Sequence, residues 1–172
     1  MQTSKVFAKF QYTRSADQDA PRPVRHPVVV VGAGPVGLAF AADLAQRGHE
    51  VVVLDDNDRI GDGSRAICFS KKALEILDKL GVGETAVAKG VVWQKGRVFH
   101  RDRELYSFDL LPEAGHKMPA FINLQQYYLE GYLVDRVMAL GSVDLRWRNK
   151  VVAASQTSSC VTLTIETPDG DY

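Results

Sequence analysis

Val28-Val29-Val30-Val31-Gly32-Ala33-Gly34-Pro35-Val36-Gly37 is the stretch that decides how this chain is read. Four consecutive valines are the pattern of a short strand buried on both faces. Three glycines at Gly-x-Gly-x-x-Gly spacing then turn the chain into an apolar helical pattern. A strand, a tight turn and a helix N-terminus in that order suit a pyrophosphate. Gly32 permits the turn, Gly34 lets backbone approach phosphate oxygens, and Gly37 lets helix and strand pack closely. Ala33, Pro35 and Val36 complete the loop. Pro35 fits a first helical position, where its missing N–H has no partner to lose. Without a ligand, the same glycines serve close helix–strand packing alone.

Downstream, Leu38, Ala41, Ala42, Leu44 and Ala45 make an apolar helical stripe that Gly48 stops. Val51-Val52-Val53-Leu54 is a second buried strand and ends in Asp55. Strand, helix and strand joined by short connections form a βαβ unit with parallel strands. Asp55 lies roughly twenty residues beyond the glycines, where a carboxylate accepts both hydroxyls of an adenosine ribose. Asp56, beside it, joins the candidate site. The bland alternative for Asp55 is a solvated acid at a strand end.

Residues 56–64 are polar and form a loop, and Arg65 follows. Its guanidinium suits phosphate or polyol oxygens, or it is a plain surface arginine. Ser70 is placed to cap a helix over 71–80 with Leu74, Leu77 and Leu80 inward and Gly81 as its stop. Residues 91–108 read as short strands with turns at Lys95-Gly96 and near Asp102. Residues 110–118 are irregular. Asn123 is expected to cap a helix over 124–140 that turns Leu129, Leu133, Val137 and Leu140 inward. Gln125 and Gln126 at its start meet a ligand or simply cap the helix. Residues 143–148 give a third strand, and 151–156 with 161–167 a hairpin. A last turn at Pro168-Asp169-Gly170 is expected to lack its return strand, as in a piece of something longer with an unpaired sheet edge.

The bulk numbers bound the rest. A chain of 172 residues, 45% of them hydrophobic, makes one domain with a sizeable core. Its 21 basic and 21 acidic residues leave a net charge of zero, so neither nucleic acid nor membrane is expected as a partner. No apolar run approaches the roughly 20 residues of a membrane span. Cys68 and Cys160 match no Cys-x-x-Cys spacing and read as reduced thiols of a cytoplasmic protein, with no metal site. Residues 1–27 begin with Lys5, Lys9 and Arg14 and continue through Asp17, Asp19, Pro21, Pro23 and Pro27. They lack the apolar core of a secretory signal and read as a proline-stiffened arm on the surface of a domain over 28–172.

Three motifs together carry a family resemblance: residues 28–38, Ser64-Arg65-Ala66-Ile67-Cys68-Phe69-Ser70, and Asn123-Leu124-Gln125-Gln126-Tyr127-Tyr128-Leu129-Glu130. The chain resembles the N-terminal part of FAD-dependent aromatic-ring monooxygenases of the p-hydroxybenzoate hydroxylase type, in particular the branch of 3-(3-hydroxyphenyl)propionate hydroxylase. The resemblance implies an α/β fold, a Rossmann-like FAD-binding βαβ parallel sheet with an antiparallel β-meander, truncated relative to the full family fold. It implies that the glycine loop, Gly32 to Gly37, receives the FAD pyrophosphate, Asp55 the ribose, Arg65 the flavin end and Gln126 the ribityl chain, with Gln125 as second choice. Residues 90–120 resemble the start of the family's substrate-domain sheet.

In that family NADH or NADPH reduces FAD, and the reduced flavin uses O2 to hydroxylate a small phenolic substrate. The family has a later Asp-Gly motif and, further on, a Gly-Asp motif. Asp169-Gly170 is read as a hairpin turn without the strand that precedes the first of them, so neither is matched. The chain by itself is therefore expected not to hydroxylate a phenol. The valine strand is expected at an open sheet edge prone to self-association. No catalytic acid, base or nucleophile is assigned. Tyr127 and Tyr128 read as packing residues and His116 as a surface or capping group. Two other readings stay open: a non-catalytic remnant that binds the ADP half of a dinucleotide weakly or not at all, and an NAD-binding Rossmann module.

Overall fold

The computed structural model describes residues 9–61 and 66–172. A 3-10 turn, Ala16–Asp19, precedes β1 (Val29–Val31), α1 (Pro35–Gln46) and β2 (Val51–Asp55). Then come β3 (Cys68–Ser70), α2 (Lys71–Lys79), α3 (Gly83–Lys89) and β4 (Val91–Trp93). β5 (Lys95–His100), β6 (Arg103–Asp109), β7 (Phe121–Asn123) and α4 (Gln126–Leu140) follow. The chain closes with β8 (Val143–Trp147), β9 (Lys150–Gln156), β10 (Val161–Thr167) and β11 (Gly170–Asp171).

The expected βαβ unit is present. β1, β2 and β8 form a parallel sheet in the order β1-β2-β8, with Val31 opposite Leu54 and Asp55 opposite Trp147. Because side chains alternate along a strand, β2 serves two cores. Val51 and Val53 pack with Leu38, Ala41 and Ala42 of α1 and with Leu133, Val134 and Val137 of α4. Val52 and Leu54 face the other way and pack with Ile165, Leu163 and Val151 of the antiparallel sheet β11-β10-β9. This is the mixed α/β architecture that the sequence predicts.

β1 departs from its valine pattern. It is the edge strand, and Val29 and Val31 are 36% and 59% exposed instead of buried on both faces. Only Val30 turns toward the α1–α4 core. Its other face looks into a cleft of about 1030 Å³ between residues 20–28 and β10. The open edge expected for this strand is therefore present.

Three local expectations need correction, and one helix is unexpected. The final turn does return: Gly170 and Asp171 pair with Thr167 and Glu166, and Tyr172 exchanges two backbone hydrogen bonds with Ile165. Lys95-Gly96 is not a turn but the start of β5. Gly96 lies under the Phe108 ring of β6, leaving no room for a Cβ, which would stand 2.2 Å from that ring. Asn123 does not cap α4, because it pairs within β7, and Gln125 takes the N-cap place without a side-chain hydrogen bond. Finally, α3 has no expectation to match it. At seven residues it is too short for a sustained helical stripe, and Ala86 anchors it to the core.

α2 fits its sequence signals well. The Ser70 hydroxyl accepts from the Ala73 N–H, Leu74 and Leu77 are buried, and Gly81 adopts φ +85° just past the helix end. β7 pairs antiparallel with both β3 and β4 above α2 and α3, and Ile122 plugs into the main core. β5 and β6 form a separate hairpin with Phe99, Leu105 and Tyr106 exposed.

Candidate functional site

The glycine turn sits where the parallel strands end. The Gly32 N–H donates to the Leu54 carbonyl at 2.7 Å, extending the β1–β2 ladder by one rung. Gly32 then takes φ +101°, a backbone region that side-chain-bearing residues rarely enter. A Cβ on Gly37 would stand 2.0 Å from the Gly32 carbonyl oxygen, so α1 crosses the strand end too closely for any other residue. Gly34 differs from both. Its backbone is extended at φ −76° and ψ 180°, open to any residue, and a Cβ there would meet nothing within 4 Å. Nothing inside the chain demands glycine at 34. The space beside it is open.

α1 begins at Pro35 with Gly34 as N-cap, no side-chain cap and no acidic residue in its first turn. The positive end of its dipole therefore has no anionic side chain in that turn. Val36 is 82% exposed on the outer side of that turn, and Ala33 is buried beneath it.

Asp55 is tied to this turn directly. One carboxylate oxygen accepts the Ala33 N–H at 2.6 Å, and the other accepts the Asn57 N–H and side-chain amide at 2.9 and 3.0 Å. It is thus a held group, not a freely solvated strand-end acid. Asp56 points to the Asn57 amide instead, 2.8 Å away. The loop is gripped from β8 as well, where Arg148 N–H donates to the Asn57 carbonyl and Asn149 N–H to the Asp55 carbonyl.

Gln126 reaches the same region from α4. That helix ends just before β8, where the Ser142 carbonyl accepts from Val51 N–H at the start of β2. Its fifteen residues span roughly 22 Å, so its first turn lies at the carboxyl end of the sheet, with the glycine turn and Asp55. The Gln126 side-chain amide donates to Glu130 at 2.7 Å, and the other Glu130 oxygen accepts the Gly61 N–H at 3.2 Å. Gln125 is exposed at the N-cap. Arg65 lies outside the described residues.

Glu130, only 5% exposed, is the group that residue-by-residue inspection passes over. Its signal was present: a carboxylate one turn before Leu133 and Val134, on the inward stripe, four residues after Gln126. Asn123 is a second such residue. Its side-chain oxygen accepts from Trp93 Nε1 at 2.9 Å and from Cys68 Sγ at 3.1 Å, fixing three strands of one sheet. Tyr127 and Tyr128 pack ring to ring at 4.7 Å, with Lys89 Nζ 4.6 Å from the Tyr128 ring centre. His116 is exposed. Among the described residues, no three His, Cys, Asp or Glu side chains gather as a metal site would need. Among them, too, no helix is long and apolar enough to cross a membrane.

A glycine-lined turn, a helix N-terminus and a carboxylate at the next strand end define a dinucleotide-binding α/β domain. Comparison with known proteins narrows that class. Residues 25–171 match the family described as FAD binding domain, and the chain belongs to it. It is 35% identical over 132 residues to 6-hydroxy-3-succinoylpyridine 3-monooxygenase of Pseudomonas putida, covering 75% of this chain and 33% of that protein. It is 30% identical over 144 residues to 3-(3-hydroxy-phenyl)propionate/3-hydroxycinnamic acid hydroxylase of Mycolicibacterium vanbaalenii, covering 84% of this chain and 25% of that one. The structure superimposes on p-nitrophenol 4-monooxygenase from Pseudomonas putida DLL-E4 with a TM-score of 0.78 and 27% identity, over 86% of this chain and 38% of that one. The resemblance to the N-terminal part of aromatic-ring monooxygenases therefore holds. The chain spans between a quarter and two fifths of the length of these relatives.

Proposed function

We propose that this chain is the FAD-binding portion of a cytoplasmic flavin-dependent monooxygenase that hydroxylates phenolic or related aromatic substrates with NAD(P)H and O2. In this reading Gly32, Ala33, Gly34, Pro35, Val36 and Gly37 surround the FAD pyrophosphate. Asp55, with Asp56 beside it, takes the adenosine ribose, Arg65 the flavin end and Gln126 the ribityl chain. The carrying observation is the glycine turn at an α1 N-terminus with no acidic side chain in its first turn, open beside Gly34 and bonded through the Ala33 N–H to the Asp55 carboxylate. A ribose hydroxyl would take the place of the Asn57 side-chain amide on Asp55, while the Asn57 backbone N–H keeps its bond to the same carboxylate.

When bound, FAD supplies the redox chemistry that no side-chain set in the described residues offers. The chain's own work is to hold the cofactor. The α1 dipole and first-turn amides favour its negative charge, Asp55 accepts from its sugar, and Glu130 sets the direction of the Gln126 amide.

Titration of flavin fluorescence and calorimetry with the purified chain test this reading. FAD is expected to bind in preference to NAD+. Asp55→Ala is expected to raise the FAD Kd by about tenfold or more, the worth of a charge-assisted hydrogen bond. NAD+ binding more tightly than FAD, or FAD binding indifferent to Asp55→Ala, overturns it. For the whole-protein activity, the readout is NAD(P)H oxidation coupled to a hydroxylated aromatic product.

A further inference from the structure

Residues 9–24 precede the region matched by the FAD-binding family, which begins at residue 25. They nevertheless make specific contacts. The Phe10 ring lies flat on Trp147, with centroids 4.4 Å apart and planes 4° from parallel. Phe10 N–H donates to the Asp58 carbonyl at 2.6 Å, and Lys9 pairs with Arg59 as an isolated antiparallel bridge. The loop after Asp55 is therefore clamped on two sides, by Phe10 through Asp58 and by Arg148 and Asn149 through Asn57 and Asp55. Trp147, on which Phe10 stacks, is the β8 residue paired with Asp55 itself.

The segment is also built to stay in place. Ser15 and Gln18 form a reciprocal capping box around the 3-10 turn. Tyr12 donates to Gln18, and Gln18 donates to Thr167 of β10. Asp17 accepts from Arg146 of β8 at 2.6 Å, and the Arg146 side chain is only 7% exposed. Chain that merely leads into a first strand needs none of these partners.

We infer that the N-terminal segment is a positioning brace for the cofactor site: Phe10, seated on Trp147 and bonded to Asp58, holds the 56–59 loop so that the Asn57 backbone N–H keeps the Asp55 carboxylate aimed at the glycine turn. This rests on the FAD reading above. Its physical basis is preorganisation, because a loop already fixed pays no ordering entropy when the adenosine half arrives. Phe10 is a positioning residue and touches no ligand atom in this account. Its effect passes entirely through Asp55 and belongs to the adenosine half.

The test compares the full chain with Phe10→Ala and Phe10→Tyr, using FAD and ADP as probes. Phe10→Ala is expected to raise the Kd of both by about fivefold, close to the worth of one well-placed hydrogen bond. Phe10→Tyr, which keeps the stack, is expected to restore both. In an Asp55→Ala background Phe10→Ala should add less than about twofold. Without any ligand, amide exchange at Asn57 should be faster in Phe10→Ala. Should Phe10→Ala fail to fold, Phe10→Leu keeps the apolar bulk, loses the stack and carries the same expectations.

Unchanged Kd values in Phe10→Ala overturn the brace, as does the same fivefold factor in the Asp55→Ala background. Unchanged Asn57 exchange overturns it independently of any ligand. If the unaltered chain binds neither FAD nor ADP, the FAD reading falls and takes the brace's purpose with it.

Discussion

Gly37 and Gly34 are three residues apart and answer to different constraints. At Gly37 the limit is internal, since a methyl group would be driven 2.0 Å from the Gly32 backbone oxygen and no flexible side chain can yield. Gly37→Ala is expected to destabilise the fold by about 3 kcal/mol, seen as a melting temperature lower by about 6–12 °C. At Gly34 the limit is external. Gly34→Ala is expected to cost no more than about 1 kcal/mol, the difference between glycine and alanine at an N-cap. It should still weaken FAD binding. Thermal melts of the two variants, followed by FAD titration, separate the two roles.

At the scale of elements, the arm expected on the domain surface has specific partners in β8 and β10. The Asp17 carboxylate is its electrostatic anchor. Burial would raise its pKa, but hydrogen bonds from Arg146 and His26 outweigh burial and hold it below its ordinary 3.8. Arg146 is held protonated in turn. Burial opposes its charge, but bonds to Asp144, Asp17 and Tyr172 outweigh that and raise its pKa. A carboxyl whose pKa is depressed in the folded state contributes stability that is full above the unfolded pKa, near 4. That contribution is lost as pH falls through the lower folded value. Asp17→Asn is therefore expected to cost about 2 kcal/mol at pH 5, or about 4–8 °C in melting temperature. The gap between variant and parent should shrink as pH falls below 3.8 and through the lower folded value. Melting curves between pH 5 and 2.5 check both the size and the direction.

For the whole molecule, the two edges of the parallel sheet differ. β8 carries side-chain contacts from the N-terminal segment at Trp147 and Arg146, whereas β1 presents both an unpaired edge and two exposed valines. Such an edge is a template for another chain. Val31→Lys, at a position 59% exposed, is expected to leave stability within about 0.5 kcal/mol and to reduce self-association. Sedimentation velocity over a concentration series reads that change. Equal association by variant and parent removes β1 as the contact.

Local chemistry in the sequence determined the βαβ unit, because buried valine runs, a helix stripe and three spaced glycines each act within a few residues. It also determined the caps of α1 and α2, the β9–β10 hairpin and the juxtaposition of Asp55 with the glycine turn. What it could not determine was which face of each strand finds a partner. Val28 to Val31 and Val51 to Leu54 look alike as letters, yet only β2 lies between two other strands with a layer on each face. Asn123 reads as a helix cap, yet pairing with β3 and β4 claims its backbone and side chain first. Glu130 and Phe10 matter through Gly61, Asp58 and Trp147, contacts that chain separation hides from any local pattern. Tertiary structure decided those, because the burial of a side chain and the aim of a carboxylate depend on what packs from elsewhere in the chain.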